Sequence, residues 1–295
     1  MAAQIIDGKA IAAQIKSEVK RDAERLKSER NIVPGLAFVL VGEDPGSLAY
    51  VRSKGNACEE MGFYSVTERR PDSISREDLL ALINRFNEDS RIHGILVQLP
   101  LPKHIDEATI IEAIDYRKDV DGFHPVNVGR LVLGLECLRP CTPAGIQELL
   151  LRTGNDPSGK HVVVVGRSNI VGKPVMNILL QKQRGANAVV TIAHTGASDL
   201  SSITRQADIL VAALGKPGMI TGDMLKPGCV VIDVGINRVA DPTNKKGSRL
   251  VGDVHFASAS LVAGAITPVP GGVGPMTIAM LMKNTLQVAR GSSSS

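Results

Sequence analysis

Apolar residues follow two alternating patterns along this chain, continuous runs and stripes with helical spacing. Residues 35–42 form a continuous apolar run bounded by glycines, which predicts a buried parallel strand. Residues 5–30 instead carry apolar side chains at Ile11, Ile15 and Val19 among many charges, which predicts an amphipathic helix. Both patterns recur to the end of the chain, so strands and helices are predicted to alternate.

This alternation predicts an α/β fold with parallel sheets, because strands separated by helices form βαβ units. Ligands of such sheets collect at the carboxyl ends of the strands, and Gln98 lies at one such end. Further strands are predicted at 64–68, 94–99, 161–165, 189–193, 209–213 and 230–234, and further helices at 47–61, 75–87, 106–114, 144–152 and 278–288, with one more that ends at 180.

The chain has 295 residues, which is long enough for two hydrophobic cores, so two lobes are predicted. The Pro-Cys-Thr-Pro stretch at 140–143 marks the boundary between them. We predict an N-terminal domain over 1–142 and a Rossmann-type domain over 143–274, with a helix over 275–290 that packs back against the N-terminal domain. The serine-rich residues 291–295 are predicted to be a disordered tail.

Charge and cysteine content exclude several classes of protein. The formal net charge of +4 comes from 34 basic and 30 acidic residues without a run of one sign, which argues against a dedicated nucleic-acid or membrane surface. The four cysteines lack CxxC spacing and the six histidines lack metal-ligand spacing, so we expect reduced thiols and no metal site. Residues 1–20 lack the basic start and continuous apolar core of a signal peptide, and no apolar span reaches about 20 residues, so we expect a soluble cytoplasmic protein.

Tyr50 and Lys54 lie four residues apart in a predicted helix, which places an aromatic ring and an amine on one face. Such a pair suits a planar, electron-poor substrate that needs proton transfer, although taken alone it is more often a solvated surface pair. Asp121 lies in the polar loop 115–122, where an acidic residue usually stabilises a turn. A functional Asp121 would instead accept hydrogen bonds from an amidine- or guanidine-like heterocycle.

Residues 166–172 follow a strand and precede a helix, the place where backbone N–H groups bind phosphate. Ser168 replaces the second glycine of the dinucleotide fingerprint and the last glycine comes one place late, so the segment alone is equally consistent with a plain strand-to-helix turn. His194 and Thr195 stand where an NAD enzyme carries a carboxylate. Because Arg167 offers a partner to a 2′-phosphate, these residues favour NADP over NAD.

Five segments, taken in order, carry a family resemblance. Their sequences are YVRSK at 50–54, VQLP at 97–100, DVDG at 119–122, GRS at 166–168 and PVPGGVGPMT at 268–277. Together they resemble the bifunctional methylenetetrahydrofolate dehydrogenase/methenyltetrahydrofolate cyclohydrolase family. The likeness covers nearly the whole chain.

The resemblance implies two reactions in one cleft between the lobes. A hydride passes from 5,10-methylenetetrahydrofolate to NADP, and water then attacks the 5,10-methenyl product to give 10-formyltetrahydrofolate. The N-terminal domain would bind the folate and carry the catalysis, and the Rossmann-type domain would bind NAD(P). The resemblance also implies a role in one-carbon metabolism and purine biosynthesis, an NAD-dependent variant as the alternative, and a homodimer formed through the second lobe.

The resemblance also assigns roles to individual residues. Lys54 would be the acid/base group of hydration, a role that requires a neutral fraction of the amine, and Gln98 would orient it. Tyr50 would stack on the folate, and Asp121 would bind the N–H groups of the pterin. The other implied contacts are Val97, Leu99, Pro270, Gly271 and Gly272 for the folate, and Gly166, Arg167, Ser168, Thr195 and Ile236 for the cofactor.

One position departs from the family pattern. Many relatives carry a basic residue where this chain has Gly196, so a second cation for a 2′-phosphate is missing and NAD use stays open. Since Lys54, Gln98 and Asp121 are all present, we expect the cyclohydrolase activity to be retained. Two other functions remain as alternatives: a dehydrogenase of another small substrate with the same two-lobe plan, and a nucleotide-binding regulatory module without catalysis.

Overall fold

The structure is a computed structural model that describes residues 3–244 and 247–291. The chain divides into two compact units. The six-strand unit contains the chain up to Ala12 together with Thr142–Thr277, and the three-strand unit contains Ala13–Cys141 together with the chain from Ile278 onward. Of the predicted tail, residues 292–295 lie outside the described residues, and Gly291 is the last residue of a helix.

The three-strand unit is built around a parallel sheet with the order β3 (Tyr64–Arg70), β2 (Gly35–Val41), β4 (Gly94–Val97). Every residue of β2 is buried, as expected for the central strand of a covered parallel sheet. The helices of this unit are α2 (Pro45–Met61), α3 (Arg76–Glu88), α4 (Glu107–Ala113) and α5 (Pro125–Val132), while α1 (Gly8–Arg30), α6 (Cys141–Arg152) and α10 (Val273–Gly291) have residues in both units.

The six-strand unit contains a larger parallel sheet. Its strands are β1 (Gln4–Ile5), β5 (His161–Val165), β6 (Val189–Ala193), β7 (Ile209–Ala212), β8 (Val230–Asp233) and β11 (Ala265–Ile266). Their order in the sheet is β1-β11-β8-β7-β5-β6, which places β5 and β7 in the interior. The remaining elements are the antiparallel hairpin β9 (Asn237–Ala240) and β10 (Ser248–Val251) and the helices α7 (Gly172–Leu179), α8 (Leu200–Thr204) and α9 (Phe256–Ala259).

Local sequence signals explain the ends of two helices. The Asp44 carboxylate accepts a hydrogen bond from the Ser47 N–H at 2.7 Å and caps the start of α2. Gly62 ends α2 with a φ of +69°, a conformation that glycine adopts without strain. The Ser75 hydroxyl accepts from the Asp78 N–H at 3.0 Å and caps the start of α3.

The predicted α/β class with parallel sheets is confirmed, but two predicted segments are wrong. Ile5, predicted to be helical, lies in β1, which pairs in parallel with β11. Two residues are too few for a strand pattern to be recognised in the sequence. The last helix begins at Val273, before both predicted starts, 275 and 278. Pro275 is compatible with this early start because it lies in the first turn, where proline has no helical N–H bond to lose.

The cysteines of this chain are free thiols. Burial raises the pKa of both the Cys58 and the Cys229 thiol to about 12, so neither is a reactive thiolate at neutral pH. Among the helices of the described residues, none has the length and apolar character needed to cross a membrane.

Candidate active site

Lys54, from the middle of α2, meets Gln98, the residue directly after β4. The Lys54 Nζ atom donates a hydrogen bond to the Gln98 Oε1 atom at 3.0 Å, and only 5 % of Lys54 is exposed. The Gln98 Nε2 atom donates to the Leu99 carbonyl at 2.8 Å. Because both ends of the Gln98 amide are engaged, its oxygen faces the amine and holds it at the end of the strand.

Tyr50 lies one helical turn before Lys54 and presents its ring to solvent. The Lys54 Nζ atom lies 5.5 Å from the centroid of the Tyr50 ring, which confirms that the two side chains share one face of α2. Tyr50 is 40 % exposed, whereas Lys54 is buried. The ring therefore offers a flat apolar surface beside a fixed amine.

Asp121 belongs to the same cluster as Lys54. Burial raises the pKa of the Asp121 carboxyl, the nearby Lys54 ammonium lowers it, and Asp119 raises it further. No hydrogen bond from any described residue reaches the Asp121 carboxyl. The structure thus places the Lys54 amine, the Gln98 amide and the Asp121 carboxyl near one another. These are three of the four residues expected to be catalytic, and Tyr50 is the fourth.

Structural side chains fix the loop that carries Asp121. The buried Asp119 carboxylate accepts hydrogen bonds from the His124 N–H at 2.8 Å and the Asn127 Nδ2 atom at 2.9 Å. The Lys118 ammonium binds the end of α3, where it donates to the carbonyl oxygens of Phe86, Asn87 and Asp89. Lys118 and Asp119 therefore have structural partners, unlike Asp121.

The turn 166–172 has a backbone that requires glycine at both ends. Gly166 has a φ of +136°, and a Cβ atom there would lie 2.1 Å from the Ala213 carbonyl oxygen. A Cβ atom on Gly172 would lie 2.1 Å from the Gly166 carbonyl oxygen. The glycine that comes one place late in the sequence is therefore the one that lets α7 pack closely on the turn.

The Ser168 side chain, at the second glycine position, binds the backbone that leads into α7. Its Oγ atom accepts hydrogen bonds from the Val171 N–H at 3.1 Å and the Gly172 N–H at 3.3 Å, which leaves the hydroxyl hydrogen free to donate. Arg167 is exposed and forms no ion pair with any described residue. The turn thus presents a hydroxyl and a guanidinium at a helix N-terminus, groups that suit a phosphate.

The segment after β6 carries His194 and Thr195 at the position where NAD enzymes have a ribose-binding carboxylate. The His194 Nδ1 atom accepts a hydrogen bond from the Gly196 N–H at 3.0 Å, and Thr195 is exposed. A Cβ atom at Gly196 would lie 2.8 Å from the His194 ring. A basic residue at position 196 would therefore require the histidine ring to move.

A cavity of about 160 Å³ lies beside the Pro/Gly segment in the six-strand unit. Its lining brings together the predicted residues Ile236 and Pro270–Gly272, and it adds Lys9, which the sequence did not indicate. The Lys9 N–H donates to the Gly271 carbonyl at 3.1 Å, and Gly271 has a φ of +109°. The first turn of α1 therefore supports the backbone conformation of this segment.

Two buried carboxylates hold the loops at the carboxyl ends of β7 and β8. Asp253 is fully buried, and its Oδ2 atom accepts hydrogen bonds from the N–H groups of Leu214 at 2.6 Å and Gly215 at 2.9 Å. Its Oδ1 atom accepts from the Asn237 Nδ2 atom at 2.8 Å. The Asp233 carboxylate accepts three backbone hydrogen bonds, from Gly235, Asp253 and Val254.

Sequence reasoning missed both of these carboxylates. Burial raises the pKa of Asp233 to about 6, although three N–H donors act to lower it. The only signal in the sequence was an acidic residue within each of two short, mostly apolar segments, at 230–234 and 250–254.

Family models match most of the chain. The description "Tetrahydrofolate dehydrogenase/cyclohydrolase, catalytic domain" applies to residues 6–121, and "Tetrahydrofolate dehydrogenase/cyclohydrolase, NAD(P)-binding domain" applies to residues 140–293.

Individual relatives match over their full length. The chain is 61 % identical to the bifunctional protein FolD of Moorella thermoacetica, an alignment that covers 98 % of this chain and 100 % of the relative. The crystal structure of the bifunctional enzyme FolD from Campylobacter jejuni matches with a TM-score of 0.93 at 49 % identity, covering 99 % and 100 %. The Trypanosoma brucei methylenetetrahydrofolate dehydrogenase-cyclohydrolase complexed with NADP cofactor and inhibitor matches with a TM-score of 0.94 at 40 % identity, covering 100 % of both chains. This chain therefore belongs to the tetrahydrofolate dehydrogenase/cyclohydrolase family.

Proposed function

We propose that this protein oxidises 5,10-methylenetetrahydrofolate with NADP and hydrolyses the 5,10-methenyl product to 10-formyltetrahydrofolate. The observation that carries the proposal is the buried Lys54 amine, held 3.0 Å from the Gln98 amide oxygen near the Asp121 carboxyl. Membership of the family sets aside the two alternatives raised from the sequence, another small-molecule dehydrogenase and a non-catalytic module.

The Lys54 amine suits the proton transfers of hydration. As the oxygen of water bonds to the methenyl carbon, a base accepts one of the two water protons and a neutral hydroxylated adduct forms. The same base can return that proton to the departing nitrogen as one carbon–nitrogen bond breaks. The remaining hydroxyl proton leaves to solvent as the formyl C=O forms, so the cationic substrate and water give a neutral product and one proton. Gln98 holds the amine in place while it changes protonation state, because an amide oxygen accepts from either form.

The folate ring fits the other groups of the three-strand unit. We propose that Tyr50 stacks on the planar part of the substrate and that Asp121 binds the amino and ring N–H groups of the pterin. Val97 and Leu99 flank Gln98, and we propose that they border the same ring. Pro270, Gly271 and Gly272 remain predicted folate contacts.

The residues of the six-strand unit fit a nicotinamide dinucleotide with a 2′-phosphate. When bound, NADP supplies the acceptor of the hydride. Gly166 allows close approach to the pyrophosphate, and Ser168 has a hydroxyl hydrogen left to donate. The exposed Arg167 offers its charge to the 2′-phosphate, and Thr195 and Ile236 are the remaining proposed contacts.

A coupled assay with NADP and NAD side by side tests the proposed function. We expect methylenetetrahydrofolate to reduce NADP with a higher kcat/KM than NAD, and the methenyl absorbance to stay below stoichiometric levels because hydration consumes it. Failure to reduce either cofactor would contradict the dehydrogenase assignment. Stoichiometric accumulation of methenyltetrahydrofolate would contradict the cyclohydrolase assignment, and preference for NAD would contradict the role given to Arg167.

We also propose that the protein is a cytoplasmic homodimer that supplies one-carbon units, including those for purine biosynthesis. Strand β6 supports the dimer: it is an edge strand of the sheet, and Val189 at its start is 65 % exposed. Cell fractionation is expected to recover the protein in the cytoplasmic fraction. The native mass of the purified protein is expected to be twice the 31.3 kDa of one chain. Size-exclusion chromatography with light scattering checks this, with Val189→Lys expected to give monomer. A native mass equal to that of one chain for the wild-type protein would refute the dimer. Recovery of the protein outside the cytoplasmic fraction would refute the proposed location.

A further inference from the structure

Asn284 is a buried amide on the inner face of α10, close to the loop that carries Asp121. It is 4 % exposed. Its Nδ2 atom donates to the Val120 carbonyl at 2.8 Å and to the Arg139 carbonyl at 2.9 Å, and lies 3.7 Å from the Cys141 Sγ atom. Both amide hydrogens are therefore used to join two loops, 118–122 and 139–141, to one helix.

These contacts reach the residue directly before Asp121. The Cys141 thiol also donates to the Val120 carbonyl, at 3.3 Å, so that oxygen accepts two hydrogen bonds. On the other side of Asp121, Gly122 packs so closely that a Cβ atom there would lie 2.6 Å from the Pro140 nitrogen. The backbone on both sides of Asp121 is thus held, while its carboxyl has no hydrogen-bond donor among the described residues.

We propose that Asn284 is a positioning residue for folate binding, which holds Asp121 in the place where its carboxyl meets the pterin. This inference rests on the proposed function of Asp121. A carboxyl without donors of its own has no local contact to set its direction, so its position depends on the backbone that carries it. Asn284 supplies the hydrogen bonds that fix that backbone from a different part of the chain.

A purely structural role for Asn284 would affect all activities in proportion to stability. Thr285 provides the matched control, because it is fully buried on the same helix and its hydroxyl donates only to the Leu281 carbonyl of that helix. Thr285→Val removes a buried hydrogen bond without touching the Asp121 loop. If Asn284 is a positioning residue, substitution of Asn284 alters folate binding and Thr285→Val does not.

The test compares Asn284→Leu and Asn284→Ser with Thr285→Val. We expect at least a tenfold rise in KM for methylenetetrahydrofolate in Asn284→Leu and a smaller rise in Asn284→Ser, which keeps one donor. The dissociation constant for NADP, measured by titration, is expected to change less than twofold in every variant. An unchanged KM for methylenetetrahydrofolate, or parallel losses in folate and cofactor binding, would overturn the proposal. If Asn284→Leu does not fold, the comparison is made with Asn284→Ser.

A double-substitution cycle tests whether Asn284 acts through Asp121. In an Asp121→Asn background, Asn284→Ser is expected to add less than twofold to the dissociation constant for folate, because the carboxyl that it positions is gone. Full additivity of the two effects would contradict the proposal. Absence of folate turnover by the wild type would instead refute the proposed function itself, so the two failures are distinguishable.

Discussion

Lys54→Gln is expected to slow hydration of methenyltetrahydrofolate by at least about 100-fold, the range in which a general acid–base group contributes. Glutamine keeps most of the length of the side chain but has no ionisable amine. Hydride transfer is expected to survive at least in part, because it needs no proton from Lys54. The measurement follows both steps separately, NADP reduction for the first and loss of methenyl absorbance for the second.

Lys103→Gln is the control for this prediction. Lys103 is an exposed lysine of the same unit, and its substitution removes the same charge away from the cluster. It is expected to leave both steps unchanged. Equal retention of both steps in Lys54→Gln would remove Lys54 from the acid–base role, and equal loss of both would make it a binding residue instead.

Asp253→Asn is expected to weaken NADP binding at least tenfold and to lower the free energy of unfolding. The substitution sets an amide NH₂ against groups that are themselves donors, the N–H groups of Leu214 and Gly215 or the Asn237 amide. Each buried donor left without an acceptor destabilises the fold by about 1–3 kcal/mol. One of the two loops at the carboxyl ends of β7 and β8 would then lose its acceptor, and the link that Asp253 makes between them would be broken.

Cofactor titration and urea unfolding measure the two effects of Asp253→Asn. The control is Asp223→Asn, which changes an exposed carboxylate of the same unit and is expected to alter neither quantity. Folate binding by the three-strand unit is expected to persist in Asp253→Asn. Unchanged cofactor affinity would show that the two loops keep their shape without the carboxylate.

Strong local patterns were sufficient to predict most of the fold. The uninterrupted valines at 162–165 predicted β5, and all four are fully buried in the structure. The pattern failed where elements are short or contain proline. Strand β1 has two residues and is stabilised by pairing with β11, and Pro275 concealed the true start of α10.

The turn 166–172 shows why a sequence motif alone can underestimate a binding segment. Ser168 and the late Gly172 looked like losses from the dinucleotide fingerprint. In the structure the Ser168 hydroxyl accepts hydrogen bonds from the Val171 and Gly172 N–H groups, and Gly172 allows α7 to pack closely against Gly166. Different residues thus provide the local geometry of the dinucleotide fingerprint. Comparison of the sequence with the motif alone does not reveal this.

By itself, the sequence determined the alternation of strands and helices and, through its five segments, the family resemblance with its expected site residues. Periodicity and short motifs are local properties, so they can be recognised in the sequence without knowledge of the fold. Only the tertiary structure decided that Lys54 is buried against Gln98, 44 residues away, and that Asn284 holds Val120, 164 residues away. Such pairings depend on how distant segments pack, and a buried polar group is stable only where the packing brings it a partner.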